Sequence, residues 1–168
     1  MSARVKHAPV AHAKEAGAMA HYEQDIVAWA TEQAALLRAG MLSAIDIEHI
    51  AEEIEDVGRS EQRELASRMA VLMAHLLKWR FQPGHRSASW KATIREQRER
   101  IAIAMRRTPS LKAILRLPDW QREIWLDALE QARRETGLEL LMAAAPWSME
   151  QVLDNDFWPA SQDGVGVA

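Results

Sequence analysis

The sequence predicts an all-α protein: a single-domain bundle of mostly antiparallel helices, closed by a short C-terminal capping helix. Three observations predict it. Ala, Leu, Glu, Gln and Arg, all strong helix formers, dominate the chain. The β-branched and aromatic clusters that mark strands are missing, apart from short stretches such as Ile45-Asp46-Ile47. Apolar residues recur at three- and four-residue steps, with Gly or Pro between the runs.

The first helix is expected from Glu23 to Gly40, with Ile26, Trp29, Ala30, Gln33 and Leu37 in step. Gly40 suits its end because glycine tolerates the left-handed conformation there. A second helix starts near Ser43, its expected cap, and carries the stripe Ile47, Ile50, Ala51, Ile54 and Val57. Asp46 lies in its first turn, where the helix dipole favours negative charge. Gly58 either breaks the helix or sits inside a longer one, and a break or bend is expected, since an interior glycine costs about 1 kcal/mol relative to alanine. A third helix then runs from Ser60 to Phe81, with Leu65, Met69, Leu72, Met73, Leu76 and Trp79 on one face, and Pro83-Gly84 ends that segment.

The fourth helix begins at Ser87 or Ser89 and ends before Pro109, with Trp90, Ile94, Ile101 and Met105 inward. A short helix from Ser110 to Leu117 follows. Pro118, whose missing N–H costs nothing in a first turn, opens another helix that runs to Thr136 and stops at Gly137. Ser148 and Gln151 form a capping-box pattern for the last helix. Trp147, Phe157 and Trp158 flank it and are expected to pin the C-terminal segment onto the bundle. Residues 1–20 and 160–168 are expected to be flexible tails around a helical domain at 21–159.

A chain of 168 residues can bury a sizeable core without staples. Its 48% apolar and 27% charged content is ordinary for a globular protein. A net charge of -3 gives no whole-chain field toward nucleic acid or membrane. The lack of cysteine excludes disulfides, thiolate metal sites and a cysteine nucleophile. The N-terminal stretch has no continuous apolar run of the signal-peptide kind, and no 18-residue apolar run exists. A cytoplasmic location is expected.

Charge is segregated along the chain. Residues 45 to 64 hold eight acids and two bases, whereas residues 86 to 107 hold seven bases and two acids. The plain reading is internal pairing of the acidic and basic helices, since arginine binds carboxylates bidentately. The sharper one is that a face meets a partner: a protein, or nucleic acid through Arg95, Arg98, Arg106 and Arg107. Against nucleic acid stand Glu96 and Glu99 within the basic run and the absence of a recognisable binding motif.

The acidic segment also offers a metal reading. Glu48, Glu52 and Asp56 step by four and share one helix face, with His49 and Glu53 on the neighbouring one. Their oxygens suit Mg²⁺ or Mn²⁺. Glu52-Glu53-x-x-Asp56 is similar to half of the metal site in all-α nucleoside-triphosphate pyrophosphohydrolases. Those enzymes need a second acidic pair at wider spacing, where this chain has Glu61 and Glu64 too early and then His75. A solvated acidic face is the structural alternative. His75, among Leu72, Leu76 and Trp79, reads as a core or boundary residue bonded to a carboxylate on a neighbouring helix. No His-Glu-x-x-His string, Gly-rich phosphate loop or G-x-S-x-G elbow is present, so no catalytic residue is assigned and no cofactor is expected.

Several stretches together carry a family resemblance. They are Tyr22-Glu23-Gln24-Asp25 leading to Trp29 and Glu32 through Arg38, and Ala51-Glu52-Glu53-Ile54-Glu55 with Gly58-Arg59-Ser60. His75 through Trp79, Ser89 through Arg98, Pro146-Trp147-Ser148 and Asp156-Phe157-Trp158-Pro159 complete the set. The chain resembles, over residues 20 to 160, the bacterial domain-of-unknown-function family twenty-nine. It departs from that pattern at Arg116 to Trp120 and at Ala143-Ala144-Ala145. The resemblance implies an all-α fold and an intracellular bacterial origin, and it brings no activity, substrate or catalytic residue. Glu52, Glu53, Arg59, Ser60, Arg95 and Arg98 match the family pattern, and a polar network is expected from them, with Glu52 or Glu53 near Arg95 or Arg98. The function expected is a small helical interaction or regulatory module that binds another macromolecule, a protein first. A metal-dependent hydrolase and a nucleic-acid binder are the alternatives, and a homo-oligomer is compatible with all of these.

Overall fold

Helix-forming composition and well-placed caps divide the chain into helices. A computed structural model describes residues 22–140 and 142–162, and among them there is no strand. Helix α1 (Ile26–Arg38) is capped by Asp25, whose carboxylate accepts from the Ala28 N–H at 3.0 Å. Its end is a Schellman turn. The Gly40 N–H bonds the Leu37 carbonyl and the Met41 N–H bonds the Leu36 carbonyl, with Gly40 at φ 68°. Gly40 therefore plays the part the sequence suggests.

Helix α2 (Ile47–Phe81) corrects two expectations. It is 35 residues long and passes through Gly58 without a break. A glycine costs only about 1 kcal/mol in a helix interior. Here the turns around it are braced, since Arg59 bonds Glu55 at 3.0 Å and Asp56 at 2.6 Å along the same helix. The cap is Asp46 rather than Ser43. The Asp46 carboxylate accepts from the His49 N–H at 3.4 Å, while Ser43 lies in a short 3-10 turn, Leu42–Ala44.

Helix α3 (Ala88–Arg107) is capped by Ser87, which accepts from the Trp90 N–H at 3.2 Å. Helix α4 (Leu111–Ile114) is a single turn, shorter than the Ser110 to Leu117 span expected. Helix α5 (Pro118–Thr136) opens on Pro118 and ends at Gly137, at φ 70°. Helix α6 (Met149–Leu153) has the full capping box between Ser148 and Gln151.

The contacts divide the chain into two compact units, one ending at Arg59 and one beginning at Ser60. The second holds the main core. Leu65, Met69, Leu72, Met73, Leu76 and Leu77 of α2 pack with Ile94 and Ile101 of α3 and with Ile124, Trp125, Ala128 and Leu129 of α5. Cross-helix pairs fix the direction of α3. Arg107 meets Glu61 at 3.3 Å, Arg68 meets Gln97 at 3.4 Å, and Lys78 sits 5.0 Å from the Trp90 ring. The partner numbers fall on one helix as they rise on the other, so α2 and α3 are antiparallel. Helix α5 returns and brings Glu135 to Lys78.

The C-terminal segment closes this bundle. Trp147, Val152 and Pro159 are buried, and Trp158 stacks on Trp79 at 4.7 Å. Beyond Pro159 the chain is still held. Gln162 bonds Arg80 through both backbone and side chain, and Ser161 accepts from Arg86 at 2.8 Å. Of the tails expected at residues 1–20 and 160–168, residues 1–20 and 163–168 lie outside the described residues. No helix among the described residues is long and apolar enough to cross a membrane.

Candidate functional site

The first unit is a helical hairpin held along one side by polar and aromatic groups. Trp29 is buried and donates its indole N–H to Asp46 at 3.2 Å. Gln33, also buried, accepts from the Asp46 N–H at 2.8 Å. Asp46 also holds the His49 ring at 2.7 Å. Tyr22 stacks on His49 at 4.0 Å, meets Trp29 edge-on at 4.8 Å, and donates its hydroxyl to Glu53 at 2.7 Å. That bond, with burial and the neighbouring acids Glu53, Glu52 and Asp56 adding to it, pushes the Tyr22 phenol up to about 12. Tyr22 meets Glu53 and Trp29 meets Asp46, so the hairpin is antiparallel.

What this clamp leaves uncovered is the feature of interest. Among the described residues, eight of the eleven large hydrophobic side chains that stand exposed lie in this unit: Ile26, Val27, Leu37, Met41, Leu42, Ile47, Ile54 and Val57. Val27 is 73% exposed, and Ile54 and Val57 are each 68% exposed. Four of them, Ile26, Leu37, Ile47 and Ile54, fall on one face. At 100° per residue, Ile47, Ala51, Ile54 and Gly58 share one stripe of α2, next to the side that meets α1. Ile26, Ala30 and Leu37 form the equivalent stripe on α1. The two helices run in opposite directions, and both stripes are displaced in the same rotational sense from the contact line. They therefore lie on the same face of the hairpin. Ala51 is exposed, and a Cβ built on Gly58 would meet nothing within 4 Å, so the α2 stripe is open as well as apolar.

This face lies in an acidic unit. Residues 22–59 carry nine Asp and Glu against two Lys and Arg, whereas residues 60–162 carry thirteen against sixteen. Glu48 and Glu55 border the α2 stripe on the side away from α1, and both are exposed.

The residues singled out from sequence fall into three groups. Of the metal candidates, Glu48 and Glu52 are exposed, Glu53 accepts from Tyr22, and Asp56 accepts from Arg59. Among the described residues no three His, Cys, Asp or Glu side chains are grouped to hold a metal ion. Of the basic candidates, Arg95 and Arg106 are exposed, and Arg107 pairs with Glu61. Arg98 is only 3% exposed. Its guanidinium donates to the carbonyls of Val152 at 2.9 Å, Asn155 at 3.4 Å and Phe157 at 2.8 Å, and lies over the Trp158 ring. Burial lowers its pKa from the ordinary arginine value. Arg98 thus serves as the clasp of the C-terminal segment, and its donors do not reach the surface.

His75 belongs to a polar cluster that sequence reasoning missed. Lys78 is 5% exposed, stands over Trp90, and donates to both Glu135 and the His75 ring, the latter at 3.2 Å. The other ring nitrogen of His75 meets the Val71 carbonyl at 2.8 Å. One nitrogen donates and the other accepts, which is the neutral imidazole, and burial pushes its pKa below the ordinary value. Burial pushes the Glu135 carboxyl up, but its hydrogen bonds from Lys78 and Gln131 outweigh that and hold it below its ordinary value. A lysine between Leu77 and Trp79, in a stretch apolar on several sides, was the signal available in the sequence. The cluster is fully partnered, as is every buried polar side-chain atom among the described residues.

No curated protein and no solved structure matches the chain. A family model does match, that of the domain of unknown function DUF29, over residues 21–158, and by that match the chain belongs to the DUF29 family.

Proposed function

We propose that the protein is a helical interaction module that binds another protein through the open face of the α1–α2 hairpin. One observation carries this reading. Among the described residues the large exposed apolar side chains concentrate in one unit, and four of them, Ile26, Leu37, Ile47 and Ile54, align on one face, whereas those elsewhere (Ile103, Leu117 and Leu126) stand apart along the sequence. An aligned apolar face of this kind marks an association site, while single exposed apolar residues are normal on any surface. The second unit, by contrast, buries its apolar stripes and pairs its buried polar groups. A bacterial, cytoplasmic setting is part of the proposal and rests on the family resemblance.

A photo-crosslinking amino acid placed at Ile54, with the same group at Leu126 as the control, tests the reading in cells. The expected result is a discrete crosslinked protein from position 54 that Ile47→Asp abolishes, and none from position 126. Equal crosslinking from both positions, or none from position 54, would remove it.

A further inference from the structure

The chemistry of the hairpin's surroundings says more about the occupant than its apolarity does. Two helices that leave parallel apolar stripes on one face form a shallow trough between them. A third helix fills such a trough by inserting side chains at three- and four-residue spacing. On α2, Ile47, Ile50, Ile54 and Val57 are spaced three, four and three, the spacing of a helix–helix seam. Ala51 and Gly58 flank that seam with small side chains, so a neighbouring backbone can approach closely there.

The border of the trough then selects the charge of the occupant. Glu48 and Glu55 line its outer α2 edge, Glu55 shared with Arg59, and the unit as a whole has nine acids against two bases. Two copies of this face packed on each other would bring both acidic sets together and repel. An acidic partner would meet the same penalty. A helix with basic residues flanking its apolar stripe gains where these lose.

From this we infer that the hairpin takes a basic amphipathic helix of a different protein, laid along the trough with its Lys or Arg side chains toward Glu48 and Glu55. The inference rests on the reading of the hairpin as a docking face and adds the class of partner.

The test uses the full chain and three fluorescently labelled synthetic peptides, read by anisotropy. One repeats Leu at three- and four-residue spacing with Lys on the flanks, the second has Glu in place of every Lys, and the third is a scrambled isomer of the first. The expected result is that the first binds at least about tenfold more tightly than either of the others. Its affinity should fall by about tenfold with Ile54→Asp, fall again with Glu48→Lys and Glu55→Lys together, and weaken as salt is raised. Circular dichroism on each variant checks that the helices remain. Equal binding of the scrambled peptide would show charge attraction alone and overturn the inference. Tighter binding of the Glu peptide, lost on Ile54→Asp, would overturn the basic class and keep the docking face. Concentration-dependent self-association in sedimentation, lost on Ile54→Asp, would make a second copy the occupant and overturn the inference. Failure of every peptide together with a monomeric chain would remove the docking face itself.

Discussion

Residues 22–59 and residues 60–162 are built from the same helix formers, and part of each is the same continuous helix. They differ in what their apolar stripes touch. In the second unit the stripe of α2 is covered from α3, α5 and the C-terminal segment, and Leu72, Met73 and Leu76 are 0% exposed. In the first unit the stripe lies beside the α1 contact, Trp29 is the one buried hydrophobic residue described, and Ile54 is left open. One helix with one kind of amphipathic pattern therefore serves two ends. Where partners within the chain cover it, burial stabilises the fold; where they do not, the same pattern remains available to an outside helix.

Truncation to alanine at two places on α2 should separate the two units most strongly. Leu72→Ala should cost about 2–5 kcal/mol, the range for deleting a fully buried leucine side chain. Ile54→Ala should stay within about 0.5 kcal/mol, as an exposed change does. Chemical denaturation followed by circular dichroism decides it; comparable losses at both sites would mean that the hairpin face is already covered.

Arginine gives a second contrast, within the second unit. Arg98→Met should cost about 3 kcal/mol, because it strips the donor from buried carbonyls that the guanidinium now satisfies. Arg98→Lys should recover only part of this, since an ammonium lacks the planar fork that spans Val152 and Phe157. Arg95→Ala, on the exposed side of the same helix, should be nearly silent. Urea midpoints separate the two, and proteolysis of the segment after Leu153 should accelerate for the Arg98 variants alone.

The buried cluster predicts a pH dependence for the second unit. His75 has an ordinary value of 6.5, and burial lowers it in the folded state. The unfolded chain therefore binds the proton first as pH falls. The stability present above 6.5 should decline as pH drops below it, until the folded His75 also titrates. The lowered Glu135 carboxyl loses its contribution only further down, from its ordinary value of 4.5 toward its folded value. Stability measured between pH 7 and pH 5 should fall less for His75→Gln than for the wild type. Equal slopes would show that His75 is not the group responsible.

The smallest effect expected is a gain. Gly58→Ala should stabilise by about 0.5–1 kcal/mol, because the position is interior to a continuous helix, exposed, and open to a methyl group. A loss in thermal denaturation would mean that the helix needs glycine there.

Much of the fold was legible in sequence because its signals are local. The left-handed Gly40, the Pro118 start and the Ser148–Gln151 box depend on a few neighbouring residues. Gly58 is less legible: its local cost points to a break, whereas the helix continues through it with Arg59 bonded to Glu55 and Asp56. Ser43 was preferred to Asp46 as a cap because both are good caps, and the Gln33 side chain that holds the Asp46 N–H is thirteen residues away. The candidate site was legible only in halves. The stripe Ile47, Ile50, Ala51, Ile54 and Val57 and the acidic run beside it were both visible, but a stripe facing a core and one facing solvent look the same in sequence.

By itself the sequence determined the helical class, the caps, the stripes and the segregation of charge, because each follows from backbone preference and periodicity over a turn or two. Tertiary structure alone decided which stripe is covered, that Arg98 points inward to carbonyls more than fifty residues away, and that Lys78 is buried beside His75 and Glu135. Burial is a property of what packs opposite a residue, and in this chain those partners come from other helices.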